Sequence, residues 1–81
     1  GLTRELAHEF AALGVRVNAV APGEIKTDVI TPDYDVLIPK IPLGYMGTTT
    51  DVAHAVYFLC SDEARYITGS EVWITGGQHL S

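Results

Sequence analysis

No second cysteine accompanies Cys60, so the 81-residue chain cannot close a disulfide on itself. One thiol and three scattered histidines also fall short of a structural zinc site. No run approaches the ~18 apolar residues that a membrane-spanning helix needs. Basic residues are scarce: 5 Lys+Arg stand against 10 Asp+Glu, a formal net charge of −5. That balance repels nucleic acid and anionic membrane surfaces, so neither is expected as a partner. Repeats and low-complexity segments are absent. What is present is apolar: 47% of residues are hydrophobic and 19% charged, too apolar a mixture for disorder. The length allows one small domain at most, and without staples its stability must come from burial alone.

The chain opens in a helical pattern. Leu2, Leu6, Phe10 and Leu13 recur at three- and four-residue spacing, and Gly14 follows as a C-terminal stop. No strong N-cap precedes Leu2 and no initiator Met is present, which suggests a chain cut from something longer. Val15 to Ala21 then reads as a strand covered on both faces, closed by Pro22-Gly23, where the glycine permits a turn away from the sheet. In the segment that follows, Thr31-Pro32-Asp33 is a helix start. Pro39 pushes Ile38 out of the helical region, so any helix there spans about two turns. The segment is also rich in aliphatics, including Val36, Leu37, Ile38, Ile41 and Leu43, which fits a lid over an apolar ligand or a partner interface.

Thr48 and Asp51 form a capping pair at the start of the clearest helix. Its expected inward face holds Val52, Ala53, Ala55, Val56, Leu59 and Cys60, with Cys60 as a core thiol. Asp62 to Arg65 adds a turn, Glu71 to Thr75 alternates as a strand ending at Gly76-Gly77, and the tail from Gln78 is expected to fray. A strand–helix–strand order with so long a crossover implies two parallel strands. Two such strands lack the neighbours and the helix cover that a parallel sheet requires, so the parts amount to about half a domain.

Ligands of parallel α/β sheets sit beyond the carboxyl ends of strands, which makes Pro22-Gly23-Glu24-Ile25-Lys26-Thr27 the default binding position, with a plain turn as the alternative. Around it, Arg16-Val17-Asn18-Ala19-Val20-Ala21-Pro22-Gly23-x-Ile25-x-Thr27 resembles the sixth strand and following loop of the short-chain dehydrogenase/reductase family. The run from Gly47-Thr48-x-x-Asp51-Val52-Ala53 to Tyr66-Ile67-Thr68-Gly69 resembles that family's last helix. Thr75-Gly76-Gly77 stands where the family more often has Asp-Gly-Gly, and Leu2-Thr3-Arg4-x-Leu6-Ala7-x-Glu9 is similar to the preceding helix. Four pieces in one register cover the whole chain.

The resemblance implies the C-terminal part of a Rossmann-type doubly wound parallel sheet, with residues 1–81 holding its last two strands rather than a complete domain. It implies NAD- or NADP-dependent interconversion of an alcohol and a ketone by the intact parent. It assigns cofactor binding to Pro22, Gly23, Ile25 and Thr27: the first two bring the backbone to the nicotinamide. Ile25 then binds the carboxamide through its main chain, and Thr27 contacts carboxamide or pyrophosphate through its hydroxyl. Residues 28–47 match the family's substrate loop. A homo-oligomer in the cytoplasm is expected on the same basis, with the remainder of the domain and a small alcohol or ketone as partners.

The family's catalytic Tyr-x-x-x-Lys pair is not found. Tyr34, Tyr45, Tyr57 and Tyr66 are followed at that spacing by Ile38, Thr49, Ser61 and Ser70, and Gly44-Tyr45-Met46-Gly47 is not the phosphate loop. No catalytic residue is therefore named in this chain. His8 and His54 read as solvated helix residues, Lys26 and Arg65 as solvated cations, Trp73 as packing or a subunit contact, and Tyr45 as a substrate or hinge contact. A non-catalytic assembly module that completes another chain's sheet is the competing reading. Circular dichroism and size exclusion on the isolated 81 residues are expected to show no monomer with a cooperative melt, and NADH fluorescence no response. A cooperative monomer contradicts the half-domain reading.

Overall fold

The computed structural model describes residues 1–27 and 34–80, with side-chain surroundings described for all of these except Tyr34 and Asp35. Helix α1 (Leu2–Ala11) follows the sequence spacing and gives way to Gly14 at φ +73, a left-handed position that a glycine takes without a Cβ penalty. Only one side of α1 is covered. Ala7 is buried, whereas Leu2 and Leu13 are 69% and 73% exposed and Phe10 is exposed too. Of the apolar stripe that the spacing places inward, Leu6 alone is half-buried, and Leu2, Phe10 and Leu13 are exposed.

The central feature is a parallel pair, β1 (Ala19–Pro22) and β4 (Glu71–Ile74), with Ala19 opposite Glu71 and Pro22 opposite Ile74. The Ala19 N–H donates to Ser70 O and the Gly23 N–H to Ile74 O, both at 2.9 Å. Backbone direction alternates along a strand, so Pro22, which has no N–H, falls where none is needed by β4. The strand is shorter than its valines suggest. Val15 to Asn18 lie before the ladder because side chains and a loop take their partners instead. Asn18 Nδ2 donates to Ile67 O and Asn18 Oδ1 accepts from the Ser70 N–H, each at 3.0 Å. The Val17 N–H donates to Thr68 Oγ1 at 3.1 Å, and Val17 O accepts from the Gly69 N–H at 2.8 Å. Arg16 adds a fork, with Nη1 to Ile67 O at 3.1 Å and Nη2 to Ser61 O at 3.3 Å.

A second parallel pair, β2 (Ile25–Lys26) with β3 (Gly47–Thr48), has no counterpart in the sequence reading, since two residues per strand are too few to show alternation. Between these strands α2 (Tyr34–Leu37) passes into a 3-10 turn over Ile38–Lys40. Pro39 tightens the helix rather than expelling Ile38 from it, because a proline in the first turn costs no hydrogen bond. The Thr31-Pro32-Asp33 start lies outside the described residues.

Helix α3 (Thr49–Cys60) begins with the expected capping box. Asp51 Oδ2 accepts from the Thr48 N–H at 2.8 Å and Thr48 Oγ1 from the Asp51 N–H at 3.3 Å. Its inward stripe is narrower than expected. Leu59 is buried and Val52 and Ala55 are half-buried, but Ala53, Val56 and Cys60 are exposed. A helix meeting a single two-stranded pair covers only the i, i+3, i+7 line, so Cys60 is a surface thiol here rather than a core one. A 3-10 turn over Asp62–Ala64 follows, burying Ala64. The tail does not fray in this structure: Gln78–Leu80 forms a 3-10 turn, with the Leu80 N–H on Gly77 O at 3.0 Å.

Among the described residues Ala7, Ile41, Leu59 and Ala64 are the buried hydrophobics. With so little core, individual polar brackets matter more. Asn18→Ala is expected to cost about 1–3 kcal/mol, since it strands the part-buried Ser70 N–H. Thr48→Ala, which removes a cap on an exposed helix end, is expected to cost about 1 kcal/mol, and Thr48→Ser much less. Urea denaturation of the intact protein carrying each substitution checks the order.

Candidate functional site

Parallel pairing sets the carboxyl ends of β1 and β4 side by side, so residues 22–27 and 74–77 share one end of the sheet. Gly23 lies flat against the neighbouring chain. A Cβ built there would sit 3.1 Å from Thr75 Cβ and 3.2 Å from Thr75 Cα. Gly23 is not among the glycines at positive φ. Its requirement is therefore close approach of two backbones, not the turn conformation that the sequence suggests.

Beyond it the chain enters β2. The Gly47 N–H donates to Glu24 O at 3.3 Å, and Ile25 stands opposite Gly47 in the register. In a parallel ladder the residue opposite a bonded one turns its own N–H and C=O to the far side. The main-chain edge of Ile25 thus faces away from β3, while its side chain lies over Gly47, whose Cβ would come within 2.9 Å of Ile25 Cδ1. Pro22 and Thr27 are exposed on either side. Pro22, Gly23, Ile25 and Thr27 thus follow one another along a rim just beyond the carboxyl end of β1, with Ile25 half-buried and the other three exposed. Their chemistry is that of peptide edges and a hydroxyl, suited to a planar amide rather than to acid–base work.

A recess of about 190 Å³ opens beside this rim, lined by Glu24, Leu43, Tyr45, Gly47, Asp51 and residues 73–76. The segment after the 3-10 turn is fastened to the end of β4. The Leu43 N–H donates to Gly76 O at 2.9 Å, and Ile41 is 3% exposed beneath it. Gly76, at φ +62, leaves only 2.7 Å between a would-be Cβ and Ile41 Cγ2; Gly77, at φ +91, leaves 3.1 Å to Pro42 Cβ. The sequence marks Gly76-Gly77 as a strand end. In the structure the pair is also a seat for Ile41-Pro42-Leu43.

Two further features escaped the sequence reading. One is the Arg16 and Asn18 bracket on residues 61–70, for which only the residue types gave a sign. The other joins Trp73, Thr75 and His79. The Trp73 and His79 rings stack at 5.0 Å and 9°, and Thr75 Oγ1 meets His79 Nδ1 at 2.5 Å while accepting from the Gly77 N–H at 3.2 Å. Trp73 is thus packed on one face yet remains 53% exposed. His8 and His54 are exposed on their helices, and among the described residues no group of three or more His, Cys, Asp or Glu could hold a metal.

A family model described as enoyl-(acyl carrier protein) reductase matches residues 1–79. A short chain dehydrogenase from Bacillus anthracis superposes with a TM-score of 0.89 at 43% identity, covering 99% of this chain and 33% of that one. The chain belongs to the short-chain dehydrogenase/reductase family. Its fold is accordingly part of the Rossmann-type doubly wound parallel sheet of that family. The family's 4-hydroxyisoleucine dehydrogenase, solved with NADH and succinate, superposes at a TM-score of 0.90 and 36% identity over 100% of this chain and 34% of its own. Among curated relatives, the protein FixR of Bradyrhizobium diazoefficiens is 58% identical over 80 residues, 98% of this chain and 29% of its own length. The 3-oxoacyl-[acyl-carrier-protein] reductase FabG of Rickettsia conorii is 47% identical, over 95% of this chain and 34% of its own. The chain therefore spans about a third of the length of the curated relatives it matches.

In this short-chain dehydrogenase/reductase segment the glycines rank by what they face. Gly76→Ala is expected to destabilise by about 2 kcal/mol or more, since it combines a left-handed φ with a clash against a buried, β-branched side chain. Gly47→Ala meets only the flexible end of Ile25 and should cost under about 1 kcal/mol. Thermal melts of the intact protein distinguish the two.

Proposed function

We propose that this segment forms the nicotinamide-side wall and the substrate lid, residues 28–47, of an NAD- or NADP-dependent oxidoreductase that interconverts an alcohol and a ketone. The observation that carries the reading is the main-chain edge of Ile25, turned away from β3 at the carboxyl end of the sheet and next to Pro22-Gly23. Its N–H and C=O match the acceptor and donor of a carboxamide, and the backbone contact of Gly23 with Thr75 keeps that edge at the sheet end. Thr27 supplies a hydroxyl just beyond it. When bound, the cofactor supplies or accepts the hydride; these residues fix which face of its ring is presented. The relatives support the reading: one acts, by its name, on 3-oxoacyl groups, and one was solved with NADH. The acid–base residues belong to the remainder of the domain, which also covers the exposed apolar sides of α1 and α3. The intact enzyme is taken to be a cytoplasmic homo-oligomer.

Those uncovered sides favour a second reading, in which the segment serves only assembly. Leu2, Leu13, Tyr57 and Phe58 would then meet another chain without any chemistry. The two are separated by assaying the intact protein with acetoacetyl-CoA and a panel of small ketones, using NADH and NADPH in turn. Oxidation of either cofactor, with a KM for it raised roughly five- to tenfold by Thr27→Ala, supports the oxidoreductase reading. No turnover and no cofactor binding leave assembly as the function.

A further inference from the structure

We propose that Trp73, Thr75 and His79 are positioning residues for the end of the substrate lid, acting through the Gly76-Gly77 turn on which that end rests. The inference rests on the lid reading above. Thr75 Oγ1 accepts the Gly77 N–H and meets His79 Nδ1, so one hydroxyl closes the turn at both of its ends. The hydroxyl has a single proton. With Gly77 as donor to the oxygen, the hydroxyl still has its own proton and a second lone pair with which to meet His79 Nδ1. The imidazole is fixed a second time by lying parallel to the Trp73 indole at 5.0 Å. Trp73 stands on β4, a strand locked into the sheet, so the indole is the fixed reference and the tail is what it holds.

The lid end rests on the two glycines. Leu43 donates its N–H to Gly76 O, Ile41 fills the space left by the absent Cβ of Gly76, and Pro42 does the same at Gly77. The two glycines make these contacts in left-handed conformations, φ +62 and +91. Glycines are also the residues most free to leave such a conformation, so the turn needs an outside constraint. The Thr75–His79–Trp73 cluster supplies it. Leu43 and Tyr45 line the same recess as Trp73 to Gly76, so a shift of the turn changes the shape of that recess.

The side-chain roles separate by substitution. His79→Phe keeps a ring for the indole and loses the Thr75 contact, Thr75→Val loses the hydroxyl at nearly constant shape, and Thr75→Ser restores it. Hydrogen–deuterium exchange of the intact protein is followed for the peptide that contains the Leu43 amide, with β1 and α3 peptides as reference. Roughly five- to tenfold faster exchange at Leu43 in Thr75→Val and His79→Ala is expected, with β1 and α3 unchanged and Thr75→Ser near the parent value. His79→Phe is expected in between. With acetoacetyl-CoA as probe, His79→Ala should raise the KM for the carbonyl substrate severalfold while the dissociation constant of the reduced nicotinamide stays unchanged. Unaltered exchange at Leu43 overturns the proposal, as does acceleration spread equally over β1 and α3, which marks general destabilisation. Absence of turnover in the parent protein counts against the oxidoreductase reading instead, and the exchange comparison still decides whether the cluster holds residues 41–43.

Discussion

The pairing of β1 with β4, from which the rim is built, is pinned by the side chain of Asn18. Its amide oxygen takes the Ser70 N–H and its amide nitrogen gives to Ile67 O, one residue before the ladder between β1 and β4 begins. A parallel pair of four-residue strands has weak register of its own, and a slip of one residue would turn every side chain to the opposite face. Asn18 forbids that slip because its two amide atoms are not interchangeable: one must meet a donor and the other an acceptor. The Arg16 fork and the Val17 contacts with Thr68 and Gly69 add to the same bracket. Once the register is set, Pro22 falls opposite Ile74 and Gly23 against Thr75, and the rim of the site is in place.

At that rim the glycines are used for what they lack. Gly23 allows two backbones to touch, Gly47 makes room for Ile25, and Gly76 and Gly77 admit Ile41 and Pro42. These close contacts shape the rim, and beside it opens a recess whose lining mixes the carboxylates of Glu24 and Asp51 with the apolar side chains of Leu43, Tyr45 and Trp73.

The sequence made the long periodic elements legible. The spacing of Leu2, Leu6 and Phe10 and the Thr48–Asp51 pair marked α1 and the start of α3, because a helix needs only local information. The direction of the strands followed from the length of the crossover between them. It was less good at burial. Val56 and Cys60 were assigned inward from apolarity alone, yet what a helix buries depends on how many layers lie against it, which no local pattern records. The short β2–β3 pair was invisible for a related reason: its partners lie more than twenty residues apart, and neither strand is long enough to alternate. The place of the rim was legible from parallel-sheet topology, and the roles of its residues only through the resemblance. Spacing could say that Pro22-Gly23 ends a strand; it could not say that Ile25 would turn its backbone edge outward.

The Asn18–Ser70 contact joins residues 52 apart in the chain. The entropy lost in closing a loop of that size grows only with the logarithm of its length, so doubling the loop adds about 0.6 kcal/mol. Residues inserted into or removed from the stretch between Thr27 and Ile41 therefore weigh little on the pairing of β1 with β4. The pairing tolerates many lengths and compositions of that stretch at small thermodynamic cost, while the geometry at Pro22, Gly23 and Ile25 stays as it is.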